Sequence, residues 1–385
     1  YNVQWFDHLF DDEDRLRRDD GRGGREGVTA HEQVEALGAV FRAVDADAVV
    51  VVEAPDARRG ARALESFARR FSLRARKALL GVPSGTQQEI TLLFDPDALG
   101  ARLDPQEGYG VPRFDGTFRV DLDGDGRPEP VTWAKPPLEV AVTARGGAAL
   151  RLIGVHAKSK NPHGARGEAQ VRRVSLENRR KQIAQCVWLR ARVDAHLARG
   201  DSLVVLGDFN DGPGQDEFEA AFGRSGVEVA LGEGDAVRLL EPHARLAMSG
   251  PTGAQVSSAR FRLPPEEGAP SRWLSALLDY VMVSPDLRRL FGMRRADFAP
   301  SGIYSGIGRA NIATPGLRVE MTPSKRLDGF AAYRAMWLAD RRDDAVPRSP
   351  HHQGRSRDPG FHIRHPAVEV QVRRRRRLAR DGAEH

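Results

Sequence analysis

Short apolar runs that end in side-chain oxygens or a histidine constrain this chain more than any other feature. Residues 48–52 run into Glu53, residues 150–155 into His156, and residues 203–206 into Gly207-Asp208-Phe209-Asn210-Asp211. A further run, 277–283, carries Asp279 near its start, and residues 1–6, with Asn2, read as the end of another strand. Unbroken runs this short suit strands covered on both faces. A polar residue that closes such a strand sits at a sheet edge, where several strands can hold their tips around one point.

Helical periodicity lies between the runs. Val34, Leu37, Val40 and Val44 recur at helix spacing, as do Leu64, Phe67 and Phe71. A long helix over 171–197 is expected to bury Cys186, Leu189, Val193 and Leu197 on one stripe, with many arginines on the other side. Residues 89–94 form a strand closed by Asp95-Pro96-Asp97, and Leu138, Val140 and Val142 alternate with Glu139, Ala141 and Thr143 as a half-buried strand. Many strands with interspersed helices predict an α/β (α+β) fold, a four-layer sandwich of two packed mixed β-sheets flanked by helices.

The chain of 385 residues suits one large domain with an appendage. Composition changes near Leu287, so the expected division is a catalytic domain over 1–287 and an Arg/Pro/His-rich segment over 288–385, poorly ordered and without strand periodicity. The net charge of +6 belongs to the end of the chain: residues 323–385 hold 15 of the 59 Lys/Arg and 8 of the 53 Asp/Glu. The body is close to neutral. The run Arg373 to Arg377 is read as a solvated end rather than a specific nucleic-acid contact. No apolar run is long enough to span a membrane. The single cysteine, Cys186, is read as core and fits a reducing compartment, so a cytoplasmic monomer is expected. Tyr1 is not an initiator methionine, and leading residues are expected to be missing.

Phosphate-ester hydrolysis needs a divalent cation, a positioned water and donors for the charge that develops on phosphorus-bound oxygen. Mg2+ and Mn2+ prefer carboxylate and amide oxygens, which Asn2, Glu53, Asp208, Asn210 and Asp279 supply. Taken singly, each is a common turn former or cap. Their order and flanks say more. Asn2-Val3-Gln4-Trp5-Phe6, Val51-Val52-Glu53, Gly154-Val155-His156-Ala157-Lys158-Ser159, Gly207-Asp208-Phe209-Asn210-Asp211 and Leu278-Asp279-Tyr280-Val281-Met282-Val283-Ser284 follow one another. This succession resembles the signatures of the endonuclease/exonuclease/phosphatase superfamily, whose best known fold is that of pancreatic deoxyribonuclease.

The resemblance implies a metal-dependent phosphoesterase that attacks a phosphodiester or phosphomonoester directly with water. Asn2 and Glu53 would hold Mg2+ or Mn2+, His156 would donate to a phosphate oxygen, and Asp208 and Asn210 would orient water and phosphate. Asp279 would support a neighbouring histidine, and Glu89 would match a second carboxylate found in some members. The partner is a phosphate-ester substrate, nucleic acid among the candidates. Lys158 and Lys160, with His163 and Arg166, form a basic loop after His156 that suits either substrate phosphate or a solvated face.

The chain departs from the family at its end, where the family closes on Ser-Asp-His. The nearest candidate here is His365, preceded by Arg364 where the family has aspartate. A guanidinium beside the base disfavours the imidazolium that forms during proton transfer. The departure leaves a second reading open, a relative that binds a phosphorylated ligand or nucleic acid without turnover. It also suggests that the segment after Leu287 derives from an altered reading frame or a divergent end. Asp121-Leu122-Asp123-Gly124-Asp125-Gly126 looks like the start of a calcium loop, but position twelve is Thr132, so an acidic turn between strands is expected.

Overall fold

A computed structural model describes residues 1–289 except 26, 57, 87, 107–109, 213–215, 242, 245–256 and 263–272; beyond 289 it describes the backbone of strands within 312–374. Contacts divide the chain into two units, Tyr1–Asp286 and Leu287–His385. Among the described residues no helix is long and apolar enough to cross a membrane.

The first unit starts with an extended segment in which Asn2 bridges Val52, followed by a 3-10 turn, Phe6–Leu9. Helix α1 (Ala30–Val44) begins at a reciprocal cap in which Glu32 N–H donates to Thr29 Oγ1 at 3.2 Å and Thr29 N–H to Glu32 Oε2 at 3.0 Å. Its buried stripe is Val34, Leu37 and Phe41, while Val44, expected inside, is exposed at the helix end. Helix α2 (Gly60–Arg70) buries Leu64 and Phe67. These two helices cover a three-stranded antiparallel sheet made of β1 (Ala48–Ala54), β3 (Glu89–Phe94) and β2 (Lys77–Leu80), in that order.

The second sheet has the order β12-β9-β8-β7-β4, from Asp279–Val283, Leu203–Asp208, Ala149–His156, Leu138–Ala144 and Leu99–Leu103. Its pairs are antiparallel except β8 with β9, which are parallel and joined through the long helix α3 (Glu168–Ala198). A short helix, α4 (Gly226–Leu231), and the hairpins β5/β6 (Phe118–Val120, Glu129–Val131) and β10/β11 (Ala259–Arg262, Trp273–Ala276) complete the unit.

Alternation along each strand sorts side chains into three apolar layers. Val50, Val52, Ile90 and Leu92 meet Leu138, Val140, Val142 and Leu152 between the sheets. Val51 and Leu93 face Val34, Phe41, Leu64 and Phe67 of α1 and α2. Ile153, Val155, Leu203 and Val205 face Cys186, Leu189 and Val193 of α3. The fold is therefore a four-layer sandwich of two packed sheets flanked by helices, the first sheet antiparallel and the second mixed. Gly154 lets the sheets approach, because a Cβ there would lie 3.0 Å from both Ile90 Cγ2 and Val50 Cγ1.

Two expectations fail in detail. The arginines of α3 are not all on a solvated side: Arg192 is fully buried, and Arg179 and Arg190 are nearly so. Arg192 Nε lies 3.2 Å from Glu139 Oε1, and its Nη2 donates to Pro112 O at 2.8 Å. Glu139, expected on an outer face, is buried as that partner. Cys186 is core as expected, and burial pushes its thiol pKa up.

The second unit contains strands, although the segment lacks clear strand or helix periodicity. β14 (Gly316–Ser324), β15 (Leu327–Arg334) and β17 (Ala367–Arg374) form an antiparallel sheet, and β13 (Ile312–Ala313) pairs with β16 (Trp337–Leu338). Arg373 and Arg374 of the arginine run belong to β17. His365 lies outside the described residues.

Candidate active site

Register brings three of the expected residues side by side on adjacent strands. His156, the last residue of β8, pairs with Asp208 at the end of β9, and Asp208 pairs with Asp279 at the start of β12. The other sheet contributes Glu53. The β1–β3 ladder slips between Val52 and Ala54, and Glu53 takes a positive φ of 61°. Such a bulge re-aims one side chain out of the ladder.

Asn2 joins the two sheets' contributions. Its Nδ2 donates to Glu53 Oε1 at 3.0 Å and to Asp208 Oδ2 at 3.2 Å. Carboxylates from separate sheets thus converge on one amide. The backbone holds both partners: Trp5 N–H donates to Glu53 Oε2 at 2.9 Å, and Gln4 N–H donates to Asn2 Oδ1 at 2.9 Å.

The Gly-Asp-Phe-Asn segment is built by close approach. Gly207 has φ 137°, and a Cβ there would lie 2.1 Å from Val155 O, so only glycine fits beside β8. Asn210 is left-handed at φ 50°; its N–H donates to Asp208 Oδ1 at 2.7 Å and its Nδ2 to Ala157 O at 3.1 Å. Gln182, fully buried on α3, donates from Nε2 toward Lys158 O at 3.0 Å, Phe209 O at 3.0 Å and Asn210 O at 2.9 Å. One side chain therefore ties the loop after His156 to the loop after Asp208.

Burial, reinforced by the charge of Asp279, pushes Asp208 up to about 7 against the opposing Asn210 N–H, Asn2 and Lys135. Burial likewise raises Asp279, whose N–H donates to Ser258 Oγ at 2.9 Å. Among the described residues no histidine contacts Asp279, so its expected partner is not in view.

Lys135 is a site residue that sequence reasoning missed. Its Nζ lies 2.8 Å from His156 Nε2, and burial lowers its pKa to about 8 although Glu53 and Asp208 pull it upward. Burial, then Lys135, holds His156 well below the usual histidine range. A neutral imidazole accepting from the ammonium satisfies both observations. His156 Nε2 is also 4.0 Å from Asp208 Oδ2. The only local signal was a cation just before Pro136-Pro137 and β7.

The two loop lysines separate. Lys158 forms no salt bridge among the described residues, and its N–H donates to Gln185 Oε1 at 2.9 Å. Lys160 does not reach the site as a phosphate ligand: its ammonium pairs with Asp211, with Glu219 at 2.6 Å and with Asp216 at 3.6 Å. Local sequence gave no sign of that trap, since Glu219 is far along the chain. Glu89 lies buried opposite Ala54, with Ser84 N–H donating to its Oε1 at 2.9 Å. Asp121 accepts from Gly124 and Gly126 N–H, both at 2.8 Å, and so closes the β5–β6 hairpin as the expected acidic turn. Asp121, Asp123 and Asp125 have ligand atoms within 4.8 Å of one another.

Glu53, Asp208 and Asn2 offer carboxylate and amide oxygens and no sulfur, the donor chemistry of a hard divalent cation. Two carboxylates sharing one neutral amide at a partly buried point also make a site that a cation would relieve. No curated protein matches the chain by sequence. Similar solved structures include an endonuclease/exonuclease/phosphatase family protein from Bacteroides thetaiotaomicron, at 13% identity over 66% of this chain and 72% of that one, TM-score 0.34. An AP endonuclease from Archaeoglobus fulgidus is similar at 9% identity over 74% and 86%, TM-score 0.38. The catalytic domain of Xenopus laevis APE2 is similar at 13% identity over 74% and 81%, TM-score 0.36. The model of the Endonuclease/Exonuclease/phosphatase family matches residues 1–307, and the chain belongs to that family.

Proposed function

We propose that this chain is a Mg2+- or Mn2+-dependent phosphoesterase that hydrolyses a phosphodiester or phosphomonoester by direct attack of water. Enzymes of the family generally use divalent metals. The observation that carries the reading is the meeting of Glu53 and Asp208, from different sheets, on the Asn2 amide. Glu53 and Asn2 would hold the cation, which neutralises charge on the phosphoryl oxygens when bound. Asp208, pushed up to about 7, is the carboxylate suited to accept a proton from water near neutral pH. Asn210 orients the loop that presents it. Lys135 is the phosphate donor, oriented by the neutral His156 that accepts from it, with Lys158 at the rim, and Lys160 serves the scaffold instead. His365, known here from its sequence alone, remains a candidate base. The near-neutral body favours a small ester or single strand over tightly held duplex.

The test is turnover of a generic aryl phosphodiester and of plasmid DNA by the purified chain with and without Mg2+. Glu53→Ala is expected to abolish metal-stimulated turnover and to lower Mg2+ affinity measured by calorimetry. Metal-stimulated cleavage that survives Glu53→Ala overturns the assignment. The second reading, binding without turnover, is favoured by Arg364 standing where the family has aspartate; it predicts Mg2+-dependent binding of phosphorylated ligands with no cleavage of either substrate.

A further inference from the structure

We propose that Trp5, backed by His8, is a stacking platform for a nucleobase carried next to the scissile phosphate. This rests on the phosphoesterase reading and adds to it a chemical class of substrate. Trp5 leaves 39% of its surface exposed, although it stands beside the core residues Phe6 and Leu9, which are fully buried. Its ring is stacked on His8, with centroids 5.3 Å apart and planes 20° from parallel. An indole supported from one side and left in water is positioned, not merely uncovered.

The backbone that holds it is unusual. Gln4 and Trp5 both have φ 55°, a left-handed conformation disfavoured for residues with a Cβ. The surroundings enforce it. Buried Gln33 donates from Nε2 to Val3 O at 2.9 Å and to Gln4 O at 2.8 Å. Gly24 packs so closely that a Cβ there would lie 2.1 Å from Gln4 O and 2.8 Å from Trp5 Cβ. Trp5 N–H in turn donates to Glu53 Oε2 at 2.9 Å, so the indole starts one side chain away from the proposed metal-binding carboxylate. Strain kept at such a place and an aromatic face left open beside it fit recognition of a planar group attached to the phosphate. Every base has a face that can stack, and stacking needs no local positive charge.

Calorimetric titration of the full chain with Mg2+ separates the phosphate site from the platform, using two ligands that differ only in the base, AMP and ribose 5-phosphate. The native chain is expected to bind AMP roughly tenfold more tightly, toward the low end of what one stacked base contributes. Trp5→Ala should bring AMP to the level of ribose 5-phosphate and leave ribose 5-phosphate unchanged, while Trp5→Phe should keep most of the preference. Equal affinity of the native chain for both ligands overturns the platform alone, as does a Trp5→Ala chain that loses both equally. If neither ligand binds, the phosphate site fails and the platform fails with it.

Discussion

Lys135 shows how a single residue can sit at the centre of a site without a sequence signature. Its contact with His156 spans 21 residues and depends on β7 and β8 lying side by side, so no local pattern marks it. The lowered pKa of about 8 gives it a measurable consequence. A lysine that must be protonated to hold phosphate loses that function as pH rises through about 8, so KM should climb above that pH while kcat changes less. Lys135→Arg keeps its charge at every accessible pH and should remove the climb. Lys135→Met should raise KM by roughly 10- to 100-fold at neutral pH, the worth of one charged hydrogen bond. A KM flat to pH 9.5 in the native chain would remove Lys135 from substrate binding. Glu53 and Asp208, in contrast, were legible in the sequence because each closes an apolar run, and Asn2 because its flanks and place in the order matched a known succession.

At the scale of elements, apolar runs found β1, β3, β8 and β9, because burial on two faces leaves few polar positions, and helical spacing found α1 to α3. It misjudged the inner face of α3, because polarity sorts side chains while pairing depends on the neighbouring sheet. Arg192 is inside only because Glu139 on β7 meets it at 3.2 Å. Removing one partner of such a pair strands the other charge in the core, so Arg192→Met should destabilise the protein by about 3–5 kcal/mol in chemical denaturation. The loop after β9 carries a second buried cluster, in which Asp211 and Glu219 share the Lys160 ammonium. Burial, then Asp211, raises Glu219 to about 7 from an ordinary 4.5. The folded state therefore favours the protonated carboxyl, and this contribution to stability is complete below pH 4.5 and lost as pH rises through 7. Glu219→Gln fixes a neutral side chain, so its Tm should fall less between pH 5 and 7.5 than that of the native protein. Equal falls in calorimetric scans would show that another group titrates.

The whole molecule raises the question of what completes the site. Among the described residues, the outer side of β1 is met by the first three residues, through the bridge from Asn2 to Val52 and the Tyr1 amino group donating to Val50 O at 2.6 Å, and the Asn2 backbone N–H and C=O carry no described hydrogen bond. The outer edge of that segment, next to the candidate site, is a natural position for one more strand. A strand paired there would run past Asn2 and could bring a closing Asp-His toward Glu53 and Asp208. The chain instead changes composition after Leu287 and offers Arg364-His365. The two-sheet sandwich was legible because central strands such as β1 and β9 are apolar runs; this ending was not, since the segment after Leu287 lacks that patterning. If an altered reading frame caused the change, the coding DNA downstream of the Leu287 codon should encode, in another frame, a strand ending in Ser-Asp-His. A chain carrying that restored end should hydrolyse the aryl phosphodiester with kcat/KM at least about 10²-fold higher, the lower bound of what a general base contributes. If no frame encodes such a strand, the altered-frame account is wrong; if the restored end brings no gain in rate, residues 1–287 already hold all the catalytic groups they use.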